Sequence, residues 1–419
     1  MRRTAQLMLC GVLLIGVSTQ VSAYSVLAHE AMVDAAWERF IVPTLRARFP
    51  RAAGQQINEA RAYAYGGSLI QDLGYYPYGS RFFSNLVHYV ESGDFVESLV
   101  ANAADVNEYA FALGALAHYT SDTAGHSLAV NRAVPILYPK LESKYGDTVI
   151  YVQGRSQHVM VEFAFDVVET ARGSFGSDVV EQFVGFHVAV PLLERAFRET
   201  YGLQLKDVFG DVDLAVGSYR HAVSKLVPDV TRIAWKEKRD EIVAANPSVT
   251  EKDVIFSMTR QQYEAAYGTS YRKPGWLARF VVFIFKIVPK FGPFKPLAFK
   301  PLTTPTEALL IDSFTASQVR YRSALRSARL GRLAIDNVDL DTGRRGDHGS
   351  NRLADETYVD LLKKLDKQKF AGVPPNLKRS INAYFADAAS PDREGSGHSK
   401  KTDQKLIRLM HALNGAREN

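Results

Sequence analysis

The chain is almost without cysteine: one thiol, Cys10, stands among 419 residues. A disulfide framework and a cysteine-rich metal site are both excluded, so any metal would have to be held by histidine and carboxylate. No apolar run is long enough to cross a bilayer core of about 30 Å. No alternating strand pattern is sustained over several segments, and no internal repeat is present. Nor is there a strong charge of one sign. Lys and Arg number 51 against 45 acids, a formal excess of +6 that is too mild and too spread to imply nucleic acid by itself. What is present is an ordinary globular balance, 46% hydrophobic and 23% charged, which excludes wholesale disorder and collagen-like or coiled-coil architecture.

The first residues read as an address. Met1-Arg2-Arg3 is a basic start, Leu7 to Val17 is apolar apart from small residues, and Val21-Ser22-Ala23 has small residues where a signal peptidase reads. A signal peptide over 1–23 is expected, with Tyr24 as the mature N-terminus. The expected location is exported, periplasmic or extracellular. An exported chain without disulfides inclines toward a bacterial source.

The rest reads as all-α. Helix-favouring blocks recur over Glu30 to Phe40, Val106 to Tyr119 and His158 to Arg172, and breaks are expected at Pro43, Gly66-Gly67, Gly74 to Gly79 and Gly173 to Gly176. This organisation predicts a catalytic helical domain over 24–235. A C-terminal helical region follows over 236–389, then a partly disordered linker and short terminal helix over 390–419. Within 274–300, Trp276 and several Phe and Ile residues are interleaved with Lys286, Lys290, Lys295, Lys300 and prolines. Such a segment suits peripheral membrane contact through Trp276 to Lys300, or equally a buried helix covering the catalytic domain. Asp336 to Asn351 reads as a polar loop. Its acid-rich part, Asp336 to Gly343, lacks the glycine and closing glutamate of a calcium loop, so a solvated loop is expected.

Chemistry concentrates in the first half. His118, Asp122 and His126 recur at i, i+4 and i+8, along one face of a predicted helix, so all three could point into one pocket. His158 and Glu162 are again one turn apart. Asp72 is followed sixteen positions on by His88, and His29 lies near the mature N-terminus. Five of the ten histidines thus lie between Ala28 and Glu162, each with a carboxylate within a turn or within the same candidate pocket. Imidazole nitrogen and carboxylate oxygen without sulfur is a donor set that zinc accepts. Zinc lowers the pKa of its water to near neutrality, and ions close together can clamp both the attacking and the leaving oxygen of a phosphoester.

These residues, in this order and placement, resemble the zinc-dependent phospholipase C family, whose fold is shared with the single-strand-specific zinc nucleases. The resemblance covers about Tyr24 to Val230. It implies a phospholipase C/nuclease-like helical domain with a C-terminal helical extension, and three zinc ions. It implies Tyr24, where the family usually has Trp, and His29 at one zinc, with Asp122 bridging to a second. Asp72, His88 and His118 would complete the second, and His126, His158 and Glu162 would hold the third. The gap between Asp122 and His126 is shorter than is common in the family. A zinc-bound hydroxide would attack phosphorus in line, with Asp72 orienting or deprotonating the water. Tyr75, Tyr76 and Tyr78 could line the cleft mouth or form a plain tyrosine-rich loop.

Three functions follow. The first is a secreted phosphodiesterase of phospholipase C type, with a phospholipid substrate cut at the glycerol–phosphate bond. Glu162 in the last ligand position and the aromatic–basic segment favour it. The second is a single-strand nuclease or 3'-nucleotidase acting on nucleic acid, favoured by the short Tyr24 to His29 spacing. The third is a non-catalytic, zinc-stabilised binding protein.

Overall fold

The computed structural model describes residues 26–171, 186–223, 302–386 and 400–415, together with residues 239, 240, 243 and 300. The expected signal peptide, Tyr24 and the run from Trp276 to residue 299 lie outside the described residues, as do the break at Gly173 to Gly176 and the linker at 390–399. Among the described residues there is no sheet; two residues, Asp339 and Arg344, form an isolated antiparallel bridge. The architecture is all-α. No described helix is long and apolar enough to cross a membrane.

Helix α1 (Val26–Ala36) runs through a π-helical turn (Trp37–Ile41) into α2 (Val42–Arg48). Pro43 therefore does not break the chain. It sits in the first turn of α2, where its missing N–H costs nothing. Next come α3 (Gly54–Leu69), a 3-10 turn (Ile70–Tyr75), α4 (Arg81–Tyr89), α5 (Ser92–Asn102) and α6 (Val106–Ala124). A second π-helical turn (Gly125–Val130) leads into α7 (Asn131–Leu137), and α8 (Pro139–Tyr145), α9 (Arg155–Ala171), α10 (Val190–Tyr201) and α11 (Val212–His221) follow. The later part of the chain forms α12 (Thr304–Arg329), α13 (Arg352–Lys367), α14 (Pro375–Tyr384) and α15 (Lys400–Gly415).

The fold is organised about α6. Asp105 caps it, accepting from the backbone N–H groups of Asn107 and Glu108 at 2.9 and 2.8 Å. Every residue from Tyr109 to Ala124 is buried, as expected of a helix surrounded by others rather than laid on a surface. Helix α3 packs along it, and α12 packs on another side. The Tyr321 hydroxyl of α12 donates to the Leu113 carbonyl of α6 at 2.9 Å.

The approach of α3 to α6 explains why Gly66-Gly67 is not the break that local propensity predicts. Both glycines lie inside α3. A Cβ on Gly67 would stand 1.9 Å from the Phe111 carbonyl oxygen, and one on Gly114 would stand 2.0 Å from the Ala64 carbonyl oxygen. The two backbones are in contact only because neither position carries a side chain. Tertiary packing outweighs the ~1 kcal/mol that glycine costs inside a helix. The contact fixes the height at which His118, one turn beyond Gly114, meets the end of α3.

The segment 336–351 is a loop, but not the solvated one expected. Asp339, Leu340, Asp341 and Asn351 are buried, with Leu340 wholly so. The Leu340 N–H donates to the His88 carbonyl at 3.0 Å, and Asn131 Nδ2 donates to the Asp341 carbonyl at 2.7 Å. The loop is docked across the ends of α4 and α7.

Candidate metal centre

The eight expected ligands that are described, His29, Asp72, His88, His118, Asp122, His126, His158 and Glu162, are all buried. They come from α1, the 3-10 turn, α4, α6, the π-helical turn after α6, and α9. Their donor atoms form groups rather than one pocket. His29, His118 and Asp122 converge in one group, Asp72, His88 and His118 in a second, with His118 common to both. His126 does not join His118 and Asp122, as a straight i, i+4, i+8 face would require. It meets His158 in a third group whose remaining member is Asp341. The π-helical turn that begins at Gly125 changes the helical phase just before His126.

Asp122 stands between the first two groups. Its Oδ1 lies 3.4 Å from His29 Nε2, while its Oδ2 lies 3.3 Å from His88 Nε2 and 3.1 Å from His118 Nε2. Asp72 Oδ1 lies 3.6 Å from His88 Nε2 and 4.0 Å from His118 Nε2. These are the separations of groups that share an ion: two ligands about 2.0 Å from a tetrahedral zinc stand roughly 3.3 Å apart.

Tautomers make the case sharper. His88 Nδ1 lies 2.7 Å from the Ser84 carbonyl oxygen, and His118 Nδ1 lies 2.9 Å from that of Ser68. A carbonyl only accepts, so each Nδ1 is the donor and each Nε2 is the nitrogen left to face the site. The two Nε2 atoms face one another at 3.4 Å, beside two carboxylates. Only a cation between them, a proton or a metal, makes that arrangement stable. Orienting the far nitrogen against a carbonyl is also how metal-binding histidines are held.

The ionisation of these groups follows the same logic. Burial pulls His118 down, but Asp122 and Asp72 outweigh it and raise the ring to about 9. Burial opposes ionisation of Asp122, yet His118 and the hydrogen bonds around it hold this carboxyl well below the usual range. Burial, reinforced by His118, keeps His29 well below the ordinary histidine value. In the third group, burial lowers His126 to about 4 and His158 to about 3, so both are neutral and available as ligands near pH 7. Burial, with the nearby Asp122, raises Glu162 well above the carboxylate range. Both of its oxygens are buried without a hydrogen-bond partner.

Asp341 is the residue that sequence reading missed. It lies far along the chain from His126 and His158, and no spacing rule links it to them. The available signal was local: in Val338-Asp339-Leu340-Asp341 acids alternate with apolar residues, a pattern that belongs to a packed segment rather than a solvated one. Tyr151 also enters the site, its ring 5.7 Å from that of His158 and its hydroxyl buried. The three tyrosines after Asp72 divide. Tyr75 is buried beside His88, Tyr76 packs 4.0 Å from the Tyr219 ring, and Tyr78 is exposed. At the end of the aromatic–basic segment, Lys300 donates to the Leu137 carbonyl at 2.7 Å and lies over the Tyr138 ring.

The family model described as zinc dependent phospholipase C matches residues 28–211. Over that segment the chain is similar to the zinc dependent phospholipase C family. No curated protein and no solved structure matches the chain. The family is one of zinc-dependent hydrolases, and the eight described candidate ligands all fall inside the matched segment, whereas Asp341 falls outside it. The donor set fits zinc: imidazole and carboxylate, no sulfur, buried, and spaced as ligands of shared ions.

Proposed function

We propose that the chain is an exported zinc-dependent phosphodiesterase of the phospholipase C type, hydrolysing phospholipid at the glycerol–phosphate bond. The observation that carries the catalytic reading is the pair of Nε2 atoms of His88 and His118, 3.4 Å apart beside Asp72 and Asp122. The family of residues 28–211 supports the lipid substrate, and the form of residues 1–23 supports export.

When bound, zinc polarises phosphoryl oxygens and lowers the pKa of water. His29 and Asp122 Oδ1 would hold one ion, and Asp72, His88, His118 and Asp122 Oδ2 another. The carbonyls of Ser84 and Ser68 keep the imidazoles of His88 and His118 aimed at the centre. Asp72 is assigned the orientation of the attacking water and acceptance of its proton. The segment from Trp276 to Lys300 is assigned a peripheral contact with the lipid surface through its aromatic residues and its lysines before Lys300.

The test is phosphate-ester release from a mixed phospholipid dispersion and from single-stranded nucleic acid by the zinc-loaded protein, with Asp72→Asn as control. Lipid cleavage that disappears in the control is the expected result. Cleavage of nucleic acid alone would replace this reading with the nuclease one. Zinc binding with neither activity would favour a binding protein.

A further inference from the structure

We propose that Asp341 is a protein ligand of the third metal ion, so that the part of the chain beyond the matched family segment closes that ion's coordination shell. The proposal rests on the zinc reading above and adds to it a residue, a segment and a coordination state.

Three observations converge. First, His158 has one nitrogen left for an ion. Its Nε2 lies 2.7 Å from the Val149 carbonyl oxygen and must donate to it, which leaves Nδ1 as a lone pair, buried and without a hydrogen bond. Second, His126 Nδ1 lies 3.4 Å from Asp341 Oδ1 and makes no hydrogen bond, the spacing of two ligands on one ion. Third, the Asp341 carboxylate is set in place by the backbone around it. Its oxygens lie 3.1 and 2.9 Å from the Tyr151 N–H, which donates to them. Its own N–H donates to Asp339 Oδ1 at 2.9 Å. Asp339 is fixed in turn by Asn351 Nδ2 at 2.7 Å. A carboxylate that only satisfied the Tyr151 N–H would not need to face two neutral imidazoles in a dry site.

Glu162 lies outside the group that His126, His158 and Asp341 form, but, one turn beyond His158 with both oxygens buried and unpartnered, it is assigned the fourth position. Two imidazoles and two carboxylates neutralise a divalent cation and fill a tetrahedron. Four protein ligands are the mark of a structural zinc, whereas a catalytic zinc keeps one position for water. On this assignment the third ion fastens the loop at 336–351 to α9 and to the turn after α6, and hydrolysis is left to the two ions that Asp122 faces.

The experiment counts metal and then asks residue 341 directly. Full-length protein is loaded with zinc, dialysed and assayed for bound zinc. Asp341→Asn, which keeps an oxygen for Tyr151, is expected to hold about one equivalent less than wild type. Asp336→Asn, in the same loop but exposed, is expected to match wild type. In parallel, cobalt-loaded Asp341→Cys is expected to show a thiolate-to-cobalt charge-transfer band that cobalt-loaded wild type, with Cys10 alone, lacks. If Asp341→Asn fails to fold, the band alone decides. A wild-type zinc count in Asp341→Asn, or no band in Asp341→Cys while wild type binds zinc, overturns the proposal and leaves the zinc reading standing. Wild type that binds no zinc overturns both.

Discussion

The Leu340 backbone N–H donates to the carbonyl of His88 at 3.0 Å, so a loop from the later part of the chain rests on the helix end that presents a candidate ligand. The flanking residues Asp339 and Asp341 are thereby placed over the candidate metal centre, whose wall is assembled from both parts of the chain. Four predictions follow from this geometry and from the helix contacts beneath it.

Zinc binding to the metal-free protein releases protons near neutral pH. His118, raised to about 9, keeps its extra proton there and must lose it to become a ligand, while His126 and His158, at about 4 and 3, have none to lose. Because His118 is raised, its share of the release fades as pH rises through about 9. Calorimetric titration in two buffers of different ionisation enthalpy measures it, and an enthalpy independent of buffer would refute the assignment.

Asp122→Ala removes more zinc than His158→Ala, because the two oxygens of Asp122 face two ligand groups and His158 faces one. Zinc counts on the two variants, each checked by circular dichroism for helical content, test this. Equal losses would mean that Asp122 serves a single ion.

Gly67→Ala and Gly114→Ala each destabilise the fold by about 2–4 kcal/mol, since an added methyl meets backbone oxygen rather than a side chain that could move. Zinc affinity falls with stability because α3 carries the Ser68 carbonyl that orients His118. Chemical denaturation with and without zinc gives both quantities. A variant as stable as wild type would show that the two helices separate without cost.

Asp105→Ala, by contrast, lowers stability by about 1 kcal/mol through loss of the α6 cap and leaves the zinc content unchanged. Changes in zinc content would mean that the far end of α6 is coupled to the site.

Much of this was legible in the sequence because helices impose short, regular spacings. His118 with Asp122, and His158 with Glu162, are one turn apart, and burial of both pairs needs only that their helices face inward. The all-α class followed from the absence of alternation. What escaped prediction depended on distant contacts. Gly66-Gly67 reads as a break until α6 is placed against it. The phase change before His126 comes from a π-helical turn that no residue type announces. Asp341 joins His126 and His158 only after the loop at 336–351 docks, a closure in space that spacing along the chain cannot encode.

The histidines also divide by which nitrogen they offer. His88 and His118 carry hydrogen on Nδ1 against a carbonyl, and His158 carries it on Nε2 against Val149. Imidazole nitrogen-15 shifts distinguish these two tautomers, so His158, in the third ligand group, has a signature separate from those of His88 and His118. The order in which the centres fill with metal can therefore be read from the spectrum of the protein at rest, without a substrate.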